Sequence, residues 1–186
     1  MDTQGLDPNW LEERRRHGLD RFDEVWDGVL HVVPFPTTDH QRFEGSLGRV
    51  LYPIAVRSGL EILYRTAIYD SIDSDENYRG PDISVVDSKH VAKRGIEARA
   101  ELVVEVLSPR DESRKKLPFY AKCGILEVWL VDPITRVIEV FVLREAKYVA
   151  AETRGGLVVA PRLGLELCTI DGPKLRISWA GGTAEI

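Results

Sequence analysis

The chain has 186 residues, 44% of them hydrophobic and 30% charged, with a formal net charge of −5 and a pI near 5.5. That balance is ordinary for a folded protein with a sizeable core; it excludes an extended disordered chain and argues against a protein that coats nucleic acid by charge alone. No apolar run approaches the length of a membrane span, no hydrophobic signal core opens the sequence, and Cys123 and Cys168 form neither a disulfide framework nor a zinc pattern. The expectation is a single domain over residues 1–186, in a reduced, cytoplasmic setting and without a membrane partner.

In chain order, a short helix is expected over residues 8–17. The run DEVWDGVLHVVPFP alternates around Asp27-Gly28, which predicts a hairpin ended by Pro34 and Pro36. Residues 38–58 predict a helix capped by Thr38 or Asp39, with Phe43, Leu47, Val50, Leu51 and Ile54 at helical spacing. Pro53 inside that pattern predicts a kink or an early end. Two short strands, LEILYR and TAIYDS, and a polar loop, IDSDENYRGP, follow. The segments PDISVV, ELVVEVL, LEVWLVD and RVIEVFVL are rich in Val, Ile, Leu and aromatics and predict strands. Between the second and third of these, residues 111–123 predict a helix that begins near Asp111 and closes at Gly124. A hairpin through Lys147 comes next, and beyond residue 154 a Gly- and Pro-rich appendage carries short strand-like pieces, GLVVA and LRISW. Strands joined by a strand–helix–strand crossover give an α/β fold, a mixed sheet flanked by helices.

Glu105 is the residue hardest to explain as structure. In LVVEVL, Leu102, Val104 and Val106 fall on one strand face and Val103, Glu105 and Leu107 on the other, and both faces are otherwise apolar. A lone carboxylate buried there costs several kcal/mol, as an order of magnitude, unless a cation or donors compensate. The plainer reading is an ion pair with an Arg or Lys; the sharper one is a metal ligand. Asp82, which opens PDISVV after Gly80-Pro81, is by itself turn chemistry. Paired with Glu105 on a neighbouring strand it becomes one arm of an oxygen-rich site of the kind that Mg²⁺ uses beside phosphate, where the ion polarises the phosphate and generates hydroxide. A lysine would complete such a site by stabilising charge on phosphorus or positioning water. Lys115 and Lys116 are the candidates, and Tyr120 lies one turn beyond Lys116 on the same helix face. Adjacent helical lysines are otherwise a solvated surface.

The succession GPDISVV, ELVVEVLSP, KxxxYAKCGI (Lys116 to Ile125) and EVWLVDP, with EVWDGVLHVVPFP and His40 upstream, resembles the Uma family of predicted restriction-endonuclease-like bacterial proteins. The resemblance covers residues 20–170 and rests on five motifs in order. It implies the PD-(D/E)xK nuclease fold: a restriction-endonuclease-like mixed β-sheet flanked by helices, here with extra N-terminal and C-terminal β-hairpins. It also implies that Asp82 is the PD aspartate and Glu105 the acidic residue of the second half-motif, together holding Mg²⁺ or Mn²⁺. The position two after Glu105 is Leu107, where the pattern has Lys; Lys116 matches the family's K-x-x-x-Y spacing as the relocated lysine. Glu24 and His40 match recurrent positions that border the site.

Two readings follow. One is a Mg²⁺- or Mn²⁺-dependent endonuclease acting on DNA; the other is a catalytically inactive binding or dimerisation module on the same fold, with a homodimer left open. The carboxylate kept inside an apolar strand favours the enzyme, and the acidic net charge favours the module. The cluster Arg110, Arg114, Lys115 and Lys116 would contact phosphates, although Asp111 and Glu112 interrupt it.

Overall fold

The computed structural model describes residues 7–70, 77–97, 99–109 and 111–186. The chain opens with α1 (Pro8–Arg16), the hairpin β1 (Glu24–Trp26) and β2 (Val29–His31), and the long helix α2 (Thr38–Arg57). Then come β3 (Glu61–Tyr64), β4 (Ile68–Tyr69), β5 (Tyr78–Arg79), β6 (Ile83–Val86), β7 (Val91–Ala92), β8 (Gly95–Glu97) and β9 (Leu102–Val106). A 3₁₀ turn (Ser113–Lys116) leads into α3 (Leu117–Lys122) and on to β10 (Glu127–Val131), β11 (Ile138–Arg144) and β12 (Lys147–Ala150). The chain closes with β13 (Thr153–Arg154), β14 (Leu157–Ala160), β15 (Leu165–Ile170), β16 (Lys174–Trp179) and β17 (Gly182–Glu185).

The central sheet has the order β12-β11-β10-β9-β6-β3. Its one parallel pair, β9 with β10, is bridged by α3, as the strand–helix–strand pattern predicts; the other pairs are antiparallel. Every residue of β6, β9 and β10 is buried, which is why these segments read as continuous apolar runs rather than alternating ones. One side of the sheet packs Val85, Val104 and Trp129 against Phe43, Leu47 and Leu51 of α2 and against Leu165 and Ile177 of the C-terminal strands. The other side packs Val103, Val128 and Leu130 against Phe119 and Tyr120 of α3.

The structure corrects several expectations. The α2 cap is Thr37, whose side chain accepts from the His40 amide at 3.2 Å, and not Thr38 or Asp39. Pro53 does not end α2, which continues to Arg57; the lost amide falls in the last turns, where the Arg57 guanidinium donates to the Pro53 carbonyl. The predicted crossover helix is a 3₁₀ turn followed by a six-residue helix, with Pro118 in its first turn, where a missing amide costs nothing. The two-residue strands β4, β5 and β7, with β8, join the N-terminal hairpin in a second sheet of order β2-β1-β5-β4-β8-β7, which periodicity did not reveal. Residues 71–76, the last of the predicted TAIYDS strand and the first five of the predicted polar loop, lie outside the described residues. The C-terminal appendage is an antiparallel sheet of five strands, β13 to β17, whose inward residues share the main core.

Arg79 ties the two halves of the site wall together. Its buried guanidinium donates to the Val25 carbonyl and lies between the rings of Trp26 (4.7 Å) and Phe119 (4.2 Å). The N-terminal hairpin is thereby fixed against α3.

Candidate functional site

The β6–β9 register pairs Ile83 with Val104 and Ser84 with Val103, so Asp82, one residue before β6, falls opposite Glu105. Facing residues of an antiparallel pair have Cα atoms about 4.5–5.5 Å apart. Both side chains line one cavity of about 360 Å³, together with Glu24, His40, Arg65 and Lys116. Phe22, Pro34, Phe35 and Pro36 also border it, and Phe35 is 79% exposed.

Glu105 is held from the α3 side. Lys116 Nζ donates to its two oxygens at 3.0 and 3.1 Å, and the Tyr120 hydroxyl donates to Oε1. Lys116 also donates to Glu24 Oε1 at 2.8 Å, and that carboxylate is fixed by the Gly80 amide and the Trp26 indole. Asp82 is held from the α2 side. Its Oδ2 accepts the Val106 amide at 2.7 Å, and its Oδ1 faces His40 Nε2 at 2.9 Å and Arg65 Nη2 at 3.1 Å. The structure therefore buries all six residues singled out in the sequence, in two hydrogen-bonded groups: Glu24, Glu105, Lys116 and Tyr120 in one, His40 and Asp82 in the other.

The electrostatics follow from that burial. Loss of hydration lifts the Glu105 carboxyl to about 7; the Lys116 ammonium opposes the rise, while the charges of Asp82 and Glu24 add to it. Lys116 is pushed above its ordinary value: desolvation works against its charge, but Glu105 and Glu24 outweigh it. Desolvation and the carboxylates also raise Tyr120, which keeps its proton and remains a donor.

The two lysine candidates separate cleanly. Lys116 is buried, whereas Lys115 points outward and pairs with Glu112 at 2.5 Å. Arg114 pairs with Glu139, so the basic cluster read from the sequence is largely neutralised by its own neighbours, and Arg110 lies outside the described residues. Two further members escaped sequence reasoning. Glu44 follows His40 by one helical turn on the buried face of α2, a spacing legible in principle. Arg65 follows β3 and reaches Glu44 at 3.0 Å; nothing in its local sequence marks it. Among the described residues, His40, Glu44 and Asp82 form a group whose ligand-type atoms lie within 4.8 Å of one another; Glu105 is not part of it.

Residues 11–171 match the model of the Uma2 family, described as "Putative restriction endonuclease". The chain belongs to that family. A crystal structure from Anabaena variabilis ATCC 29413, described as "a putative nuclease belonging to DUF820", superposes with a TM-score of 0.58 at 18% identity, covering 76% of this chain and 83% of that one. At that identity the likeness establishes the shared fold, in agreement with the expected restriction-endonuclease-like α/β architecture. No curated protein matches the sequence. Membership of the Uma2 family supports a nuclease-like function, with nucleic acid as the substrate class. None of the described helices is long and apolar enough to cross a membrane.

Proposed function

We propose that the chain is a metal-dependent DNA endonuclease that hydrolyses phosphodiester bonds, with Asp82 and Glu105 holding Mg²⁺ or Mn²⁺ and Lys116 in place of the lysine missing at Leu107. The observation that carries this reading is Glu105 itself: a buried carboxylate beside Asp82, lifted to about 7 because its surroundings under-compensate its charge. Glu24, Asp82 and Glu105 are among the carboxylates that border the cavity, and an oxygen-rich set with excess negative charge fits a hard divalent ion. When bound, such an ion polarises the phosphate and generates hydroxide from water.

The chain's own groups have distinct tasks in this scheme. Lys116, with its proton held more tightly than in water, serves as a permanent cation that stabilises charge developing on the phosphate, not as a base. Glu24 accepts from the same ammonium and keeps it from swinging away. Tyr120 donates to Glu105 and orients that carboxylate.

A cleavage assay with Mg²⁺ or Mn²⁺ tests the proposal. Asp82→Asn and Glu105→Gln are expected to abolish cutting with the fold retained. Lys116→Met is expected to lower the rate by roughly 10²–10³-fold, and Lys115→Met to leave it near wild type. A wild-type chain that binds DNA yet cuts none, across metals and pH, overturns the proposal in favour of a binding module. The pairing of Arg114 and Lys115 with local carboxylates is the feature that favours that second reading.

A further inference from the structure

On the α2 side of the cavity, two carboxylate oxygens and an imidazole nitrogen converge on a single nitrogen. Arg65 Nη2 lies 3.0 Å from Glu44 Oε2, 3.1 Å from Asp82 Oδ1 and 3.2 Å from His40 Nε2. An Nη2 group carries only two hydrogens, so the count closes only when His40 Nε2 donates its own proton to Asp82 Oδ1, 2.9 Å away. His40, Glu44 and Asp82 are all buried.

One imidazole and two carboxylates aimed at a common point are the donor set of a borderline divalent ion such as Mn²⁺ or Zn²⁺; Mg²⁺ prefers oxygen alone. Here a guanidinium nitrogen fills the point. The backbone is bent to bring it there: Arg65 has a φ of 48°, a left-handed conformation unfavourable for a residue with a Cβ, and its amide donates to the Asp82 carbonyl at 3.2 Å. The guanidinium rests 5.5 Å from the Phe22 ring centroid and borders the open cavity, which gives it a way out.

We propose that Arg65 is the built-in occupant of a second cation position, formed by His40, Glu44 and Asp82, and that an ion of the Mn²⁺ or Zn²⁺ class takes this position when the guanidinium swings into the cavity. The two cations exclude each other, because both need the same lone pairs at the same point. The ion therefore binds with an affinity lowered by the competition, and removal of Arg65 restores it. Entry of the ion also requires the His40 proton to move from Nε2 to Nδ1, which faces Ser108 Oγ. The consequence is metal selectivity: with Arg65 in place, the nitrogen-containing position is closed, and the all-oxygen position at Asp82 and Glu105 is left to Mg²⁺. The inference rests on the geometry around Arg65, and a chain with no nuclease activity would still carry the site.

The test is calorimetric titration of the full chain with Zn²⁺, with circular dichroism to verify the fold. Arg65→Met is expected to bind Zn²⁺ roughly 10- to 100-fold more tightly than wild type, a span typical of coupled binding. The gain should vanish in Arg65→Met/His40→Ala and persist in Arg65→Met/Glu105→Gln. Equal Zn²⁺ affinity in wild type and Arg65→Met, or a gain that survives His40→Ala, overturns the proposal. If Arg65→Met is unfolded without metal, Zn²⁺ should refold it in a His40-dependent manner, and failure to do so is equally fatal. The nuclease reading is tested by different outcomes, the dependence of Mg²⁺ binding and cleavage on Glu105, so each can fail without the other.

Discussion

Glu105 and Glu127 are both carboxylates buried on adjacent central strands, and their partners set them apart. Glu127 accepts from the Trp129 indole at 2.7 Å and the Arg162 amide at 3.1 Å, neutral donors that close a structural arrangement. Glu105 faces an ammonium, a phenol and two further carboxylates. Both lie in strand-like runs, and only Glu105, in the middle of LVVEVL, declared itself in the sequence. Glu127, at the head of LEVWLVD, is indistinguishable there from a polar strand end. The Glu105 environment has a measurable pH signature. Burial lifts its carboxyl from 4.5 to about 7, so between those values the folded chain holds a proton that the unfolded chain has released. Its contribution to stability is whole below the lower value and is lost as pH rises through the upper one. Thermal unfolding of Glu105→Gln and wild type, measured without metal, should diverge in favour of the variant as pH rises from about 5 to about 8. Parallel curves would show that Lys116 fully compensates the charge.

At the scale of elements, the hairpin at Asp27-Gly28 and the helix α2 were legible because each has a local cause. Asp27 and Gly28 take φ values of 49° and 84°, as a tight turn between twisted strands requires, and α2 carries a full apolar stripe. The strand β4 fell within the predicted TAIYDS segment, but β5 and β7 were not legible, since two residues have no period and their pairing is decided by distant partners. Gly95 shows how tightly that small sheet is built. At a φ of 155°, a Cβ added there would lie 2.3 Å from the Ala67 carbonyl oxygen, the same oxygen that accepts the Ile96 amide at 2.8 Å. Because the obstacle is backbone, Gly95→Ala is expected to cost about 1–3 kcal/mol, as overpacking does. Urea denaturation would measure it, and a loss within error of zero would mean that β4 and β8 are free to separate.

For the molecule as a whole, composition anticipated a folded chain with a core but not how much of that core the C-terminal residues supply. Leu165, Leu167, Leu175 and Ile177 are fully or almost fully buried in the cluster that also holds Leu47, Val104 and Trp129. We propose that the chain unfolds as one unit, with the five-stranded sheet part of the same domain. Leu175→Ala should then destabilise the entire protein by about 2–5 kcal/mol and leave a single calorimetric transition. Two transitions, with only the lower one shifted, would make the C-terminal sheet a separate unit. The connection from Glu24 to Lys116 has a bearing on how the protein comes into being. It joins positions 92 residues apart, and β9 needs β10, further along still, as its parallel neighbour. A chain emerging at roughly 5–20 residues per second exposes β1, α2 and β6 for seconds before α3 and β10 arrive. The charged wall of the cavity cannot close on a nascent fragment, so whatever reactivity it confers begins only after most of the polypeptide has left the ribosome.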